Sequence, residues 1–252
     1  LPRTQGMQFL SATILPWRGM TVYQLRAWVP PIGEVDLLES PRLDAQHPSA
    51  AGGLLLPFAN RLRGVAVENG AAIEAEILGR RVRIPTNHGN PDTERLAIHG
   101  FVFPNTFENV TRQSTAEEAS IHAELDASDF QGRWLSSSKI SAHMTLRQQT
   151  FTFTVTTENT GSDPLPIGVG WHPNFRYPSG LREQVLLGIP SEKRALVNNY
   201  QDWWPTGAGG PSAGADDDFS QPEGSPLGAL FLDDCFTGLR RDNRGHVVSF
   251  LT

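Results

Sequence analysis

Three consecutive segments of the chain alternate apolar and polar residues with a period of two. Ala119, Ile121, Ala123 and Leu125 alternate with Ser120, His122, Glu124 and Asp126. Ile140, Ala142, Met144 and Leu146 alternate with Ser141, His143, Thr145 and Arg147, and Phe151, Phe153 and Val155 with Thr152, Thr154 and Thr156. Successive side chains of a strand point to opposite faces, so each segment buries one face and leaves the other to water or a second layer. Arg147-Gln148-Gln149 and Asn159-Thr160-Gly161-Ser162 punctuate the pattern as turns. The expectation is a set of antiparallel strands. Tyr23, Leu25, Ala27 and Val29 repeat the alternation more weakly, and Val65-Ala66-Val67 and residues 73–78 flank Glu68-Asn69-Gly70, an Asn-Gly hairpin signal.

Helices are minor by the same test. No long run places apolar residues at i, i+3, i+4 and i+7 behind an N-cap. The 252 residues include 24 Gly and 19 Pro, about 17% together against a usual ~12%, a density that implies frequent turns. The fold class expected is all-β, a large antiparallel β-sandwich with few short helices, in a single domain over residues 1–252. Residues 204–226, crowded with Gly, Pro, Ser and Asp and including Asp216-Asp217-Asp218, read as a long connection without regular structure.

Charge and cysteine usage exclude several functions. The 21 Lys+Arg against 27 Asp+Glu leave a net charge of −6, which offers no basic footprint for nucleic acid or anionic lipid. No apolar stretch approaches the ~18 residues of a membrane helix, and residues 1–13 lack the regions of a secretory leader. A cytoplasmic protein with no nucleic-acid or membrane partner is expected. Cys235 is the only cysteine, so there is neither an internal disulfide nor a thiol metal cluster. His88, Asp92, Glu94 and His99 gather in sequence without zinc or calcium spacing, and no metal is expected. Gly-x-Ser-x-Gly and phosphate-loop motifs are absent.

Candidate site residues sit where turns and strand ends should expose them. Pro57-Phe58-Ala59-Asn60-Arg61 carries an arginine out of an apolar run, as a rigid fork of donors for hydroxyls or a carboxylate. Ile98-His99-Gly100 puts an imidazole before a glycine that permits a tight turn or a close approach. Trp171-His172-Pro173-Asn174-Phe175 sets another among aromatics, where a partly buried histidine can give or take a proton near neutrality. Asp233-Asp234-Cys235-Phe236 ends an apolar segment with two carboxylates, of which at most one aims at a given pocket.

In this order and spacing, the four segments resemble the aldose 1-epimerase (galactose mutarotase) family, with smaller matches at Pro205-Thr206-Gly207, Asp218-Phe219 and Pro226-Leu227-Gly228. The resemblance covers essentially the whole chain. It implies a large antiparallel β-sandwich that interconverts the α and β anomers of a free hexose, without a cofactor. By the resemblance His172 is the general acid toward the ring oxygen and His99 a second histidine beside it. Arg61 and Asn60 hold sugar hydroxyls, and Asp233, with Phe236 three residues on, binds hydroxyls across the ring. Trp171, Phe175 or Trp203 could wall the sugar's C–H face. The family's general base is a late glutamate, yet no glutamate follows Glu223, and Thr252 lies only 19 residues beyond Asp233. Because residues 247–251 read as a strand that would otherwise end the sheet abruptly, the sequence is expected to lack its natural C-terminal strands. Otherwise another carboxylate substitutes, or mutarotation is weak or absent. The alternatives are a hexose-6-phosphate 1-epimerase, in which basic residues would clasp the phosphate, Arg61 and Arg63 being only suggestive and Arg80-Arg81 reading as the flank of a hairpin, and a noncatalytic carbohydrate-binding sandwich.

Overall fold

The computed structural model describes residues 1, 6–40, 42–43, 50–89, 95–177, 179–197, 204–212 and 218–252. They form two compact units, Leu1–Arg176 and Tyr177–Thr252. Strands dominate both, and helical structure among the described residues amounts to the short 3-10 turns Pro16–Arg18, Glu68–Gly70 and Arg182–Gln184.

The first unit opens with β1 (Gln8–Leu15), β2 (Thr21–Val29) and β3 (Gly33–Asp36), a three-stranded antiparallel sheet. Next come the short β4 (Leu54–Leu55) and β5 (Arg61–Leu62), then β6 (Val65–Val67), β7 (Ala72–Ile77) and β8 (Arg80–Pro85) as a second three-stranded sheet. After β9 (Ala97–Ile98), the strands β10 (Glu108–Ser114), β11 (Glu118–Ser128), β12 (Ser138–Arg147) and β13 (Phe151–Asn159) form a four-stranded sheet in that order, and β14 (Gly170–Trp171) closes the unit.

The alternation read from the sequence sets the faces of the four-stranded sheet. Along β12, Ile140, Ala142, Met144 and Leu146 are buried while Lys139, His143 and Arg147 are exposed. Register between β12 and β13 runs unbroken from Ser138 opposite Asn159 to Leu146 opposite Phe151. Slipping it by one residue would turn the apolar set into water, at about 1.5–3 kcal/mol for each large side chain. Beneath the sheets lies one core that includes Val22, Leu54, Ile73, Ile84, Phe107 and Met144. The expected hairpin forms between β6 and β7, with Asn69 and Gly70 at positive φ. β7 returns into β8 through Leu78 and Gly79, both at positive φ, as in a tight primed turn.

The second unit comprises β15 (Leu186–Gly188), β16 (Ser191–Val197), β17 (Pro205–Pro211), β18 (Ser225–Pro226), β19 (Phe236–Leu239) and β20 (Phe250–Leu251). β15 lies between β18 and β20, and β16 between β17 and β19. Two expectations are corrected here. The described part of residues 204–226 contains β17 and β18 where an unstructured connection was expected, Asp216 and Asp217 lying outside the described residues. A ladder needs only backbone groups, and β17 pairs Gly210 with Arg194 and Gly209 with Ala195 on β16. Leu196 occupies the room that Gly210 leaves, 3.3 Å from where a Cβ would stand. The strand expected at residues 247–251 shrinks to Phe250–Leu251, where the Phe250 ring lies over Gly188 so closely that a Cβ there has no room.

Candidate functional site

One continuous stretch, residues 52–62, frames the site by bonding to two distant histidine segments. At its start β4 pairs with β14, Leu54 opposite Trp171. Just before it, Gly52 N–H donates to the His172 carbonyl at 2.7 Å and His172 N–H to the Gly53 carbonyl at 3.1 Å. At its end β5 pairs with β9, Arg61 opposite Ile98, and His99 N–H donates to the Asn60 carbonyl at 2.9 Å. The two imidazoles thereby meet edge to face with centroids 5.0 Å apart.

The His99 turn is unusual backbone. His99 has φ +67° and Gly100 φ +75°. The amides of Phe101 and Val102 both donate to the Leu56 carbonyl, and a Cβ on Gly100 would lie 2.2 Å from that oxygen. Only glycine fits there. Asn87 braces the other side, its amide accepting from Ile98 N–H at 2.7 Å and donating to the Ile98 carbonyl at 2.9 Å. Phe58 supports the floor, edge-on to Phe101 at 5.3 Å and stacked on Trp134 at 5.6 Å.

Burial, then the neighbouring His172, Arg61 and His88, hold His99 down to a pKa of about 4. His88 is also lowered, by burial and by Arg61. At neutral pH His99 is therefore uncharged, with one ring nitrogen to donate and one to accept. Arg61 directs a guanidinium N–H to the Asn60 side-chain carbonyl at 2.8 Å. Its Nε, His99 Nδ1 and His172 Nδ1 are buried without a hydrogen-bond partner. Buried polar atoms are nearly always paired, so three without a protein partner around one spot make it the candidate site for a polar ligand or water.

Four of the sequence candidates, Asn60, Arg61, His99 and His172, thus come together, each half-buried. Asp233 belongs to the second unit, where it is exposed. The more enclosed carboxylate of that segment is Asp234, 3.7 Å from Arg194. Among the proposed aromatic walls, the Trp171 ring contacts Phe151, Phe153 and Phe175. It lines, with Leu54 and Val169, an apolar hollow of about 310 Å³. Phe175 is 49% exposed, and Trp203 lies outside the described residues. So do Asp92 and Glu94, and among the described residues no group of three His, Cys, Asp or Glu is arranged to hold a metal. Sequence reasoning missed Asn87 as a brace and His88 as an electrostatic neighbour, because the side-chain bonds and charges involved span strands.

The sequence model of the aldose 1-epimerase family matches residues 12–250. The chain belongs to the aldose 1-epimerase family. Its fold is that of solved galactose mutarotase-like structures. A galactose mutarotase-like protein from Clostridium acetobutylicum superposes with a TM-score of 0.72 at 18% identity, over 96% of this chain and 70% of that one. A galactose 1-epimerase from Lactobacillus acidophilus gives 0.64 at 16%, over 87% and 60%. An aldose epimerase homologue from C. elegans gives 0.57 at 18%, over 86% and 62%. This aldose 1-epimerase family member therefore spans about three fifths of the length of the last two. Among curated proteins none matches it. No helix among its described residues is long and apolar enough to cross a membrane.

Proposed function

We propose that the chain binds a free hexose between Arg61, Asn60, His99 and His172 and interconverts its anomers by ring opening. The observation that carries this reading is the trio of unpartnered buried atoms, Arg61 Nε, His99 Nδ1 and His172 Nδ1, since hydroxyls both donate and accept and can satisfy all three. His172 is assigned as the general acid, with the uncharged His99 beside it. It protonates the ring oxygen while the anomeric hydroxyl gives its proton to water or a carboxylate, the C1–O5 bond breaks and the open aldehyde forms. Rotation about C1–C2 and reversal of the same transfers return the other anomer, so proton and electron counts balance without an external reductant. A positioned general acid of this kind contributes about 10²–10⁴ in rate.

Of the arginines suggested for a phosphate, Arg61 donates to the Asn60 side chain and Arg80 pairs with Asp163, which favours a free sugar over a sugar phosphate. Arg80 contacts Asp163 at 2.6 Å and Arg81 contacts Glu74 at 3.9 Å. Polarimetry of freshly dissolved α-glucose and α-galactose tests the proposal. The wild type should hasten the change in optical rotation and His172→Ala should lose the acceleration. Saturable sugar binding without any acceleration would instead make the protein a noncatalytic carbohydrate binder.

A further inference from the structure

The polar face of the four-stranded sheet carries a second pair of imidazoles. Thr111 on β10, His122 on β11, His143 on β12 and Thr154 on β13 stand opposite one another in register, in one row across the sheet. The two histidine rings lie 6.2 Å apart between centroids, and His143 is exposed while His122 is half-buried. Thr145 Oγ1 sits 3.1 Å from His143 Nε2, within hydrogen-bond reach. Metal-ligating histidines are commonly fixed in this way through their second nitrogen.

The adjoining rows form a shallow hollow of about 520 Å³, whose lining includes Glu108, Glu124, Asp126, Glu158 and Lys139. Glu124 stands opposite Ser141, two residues along each strand from the histidine row. Four carboxylates against one ammonium give the hollow a negative potential that concentrates cations beside the imidazoles. Neither feature takes part in the sugar site, whose residues are carried on the short β5, the turn after β9 and the segment after β14.

We propose that His122 and His143 form a two-imidazole site for a divalent first-row transition-metal cation, with Cu²⁺ the preferred occupant. Imidazole suits copper, nickel and zinc, and copper binds tightest in that series. A cation about 2.0 Å from one nitrogen of each ring brings the centroids to roughly 5 Å, a closure made by χ rotation of the exposed His143 toward the half-buried His122. Because no third ligand is grouped with them among the described residues, the remaining positions are filled by water. His143 ligates through Nδ1, and its Nε2–H donates to Thr145.

Titration of the untagged protein with Cu²⁺, followed by calorimetry and by the nitrogen hyperfine pattern in electron paramagnetic resonance, tests the site. Wild type should take up one equivalent with a two-nitrogen signature. His122→Gln and His143→Gln should each weaken binding on the order of 10²-fold, the loss expected when a chelate becomes a single contact. Thr145→Val should weaken it about tenfold. His172→Gln should leave it intact. Unchanged thermal melting of the metal-free Gln variants separates lost ligation from lost folding, and a Gln variant that melts early is replaced by His122→Asn or His143→Asn with the same expected loss. No uptake by wild type, wild-type affinity in the His122 and His143 variants, or loss of binding in His172→Gln alone overturns the proposal.

Discussion

His99 and His172 face each other at 5.0 Å because residues 52–62 hold the backbone of both. The pairing is a consequence of strand connectivity rather than of any direct bond between the rings. Disturbing either end of that stretch should therefore separate the imidazoles without touching them.

The depressed pKa of His99 couples folding to pH. The unfolded imidazole takes up a proton at its ordinary 6.5, whereas the folded one does so only at about 4. Between those values the unfolded state binds more protons, so stability rises with pH across the window. The contribution is complete above pH 6.5 and is lost as pH falls toward 4. Urea unfolding at about pH 7.5 and about pH 5 should show a lower midpoint in acid. His99→Asn should flatten that difference, Asn being tolerant of the positive φ. A pH response untouched by the substitution would contradict the assignment.

Two glycines of similar conformation should respond unequally to alanine. Gly79, at φ +74° with nothing near its absent Cβ, should lose only the left-handed conformational cost, about 1–2 kcal/mol. Gly100, whose Cβ would strike the Leu56 oxygen at 2.2 Å, should lose more than about 3 kcal/mol and also turn His99 out of place. Denaturant midpoints of Gly79→Ala and Gly100→Ala give the comparison, and equal losses would refute the crowding argument.

Arg61 and Asn60 should act on sugar affinity through one bond. Asn60→Gly keeps the positive φ but removes the acceptor of the 2.8 Å bond from Arg61. The guanidinium is then no longer held toward the imidazoles. Hydrogen bonds to charged groups contribute about 1.5–3 kcal/mol, so KM should rise roughly 10- to 100-fold in Asn60→Gly and in Arg61→Lys. Unchanged KM in both would detach the pair from the substrate.

Glucose 6-phosphate should bind no more tightly than glucose. Arg80 at the β7–β8 turn pairs with Asp163 at 2.6 Å and Arg81 stands 3.9 Å from Glu74, exposed pairs with which a phosphate has to compete. Competition measured at low ionic strength, where an anion would gain most, decides the matter. A tenfold preference for the phosphate would reverse it.

Asn87 should behave as a brace. Its side-chain amide makes two bonds to the Ile98 backbone, and Asn87→Ala should cost about 1–3 kcal/mol. Hydrogen exchange at Ile98 and His99 should quicken more than at Met144, in the core sheet. Uniform quickening would mark a global loss instead.

Much of the molecule was legible before any coordinates. Ile140, Ala142, Met144 and Leu146 announced their buried face by period alone, and His99-Gly100 announced a tight turn or a close approach, while the crowding that admits only glycine there came from the Leu56 carbonyl of a distant segment. Residues 204–226 misled, because glycine and proline signal turns through side-chain and φ preferences, whereas β17 is held by backbone bonds to β16. Asn87 was invisible for a related reason. Its role lies in matching the spacing of a neighbouring strand, which no local pattern encodes.

Local composition by itself determined that this chain builds sheets, which of their faces are apolar, and which polar residues stand at strand ends. Those features follow from the backbone's two-residue repeat and from the conformational needs of single residues. Tertiary structure alone decided that Arg61, His99 and His172 share one spot and that His99 stays neutral there. It also set His122 beside His143. Proximity between distant segments and the resulting desolvation depend on how strands pair across the molecule, and a charge feels only the neighbours that folding brings to it.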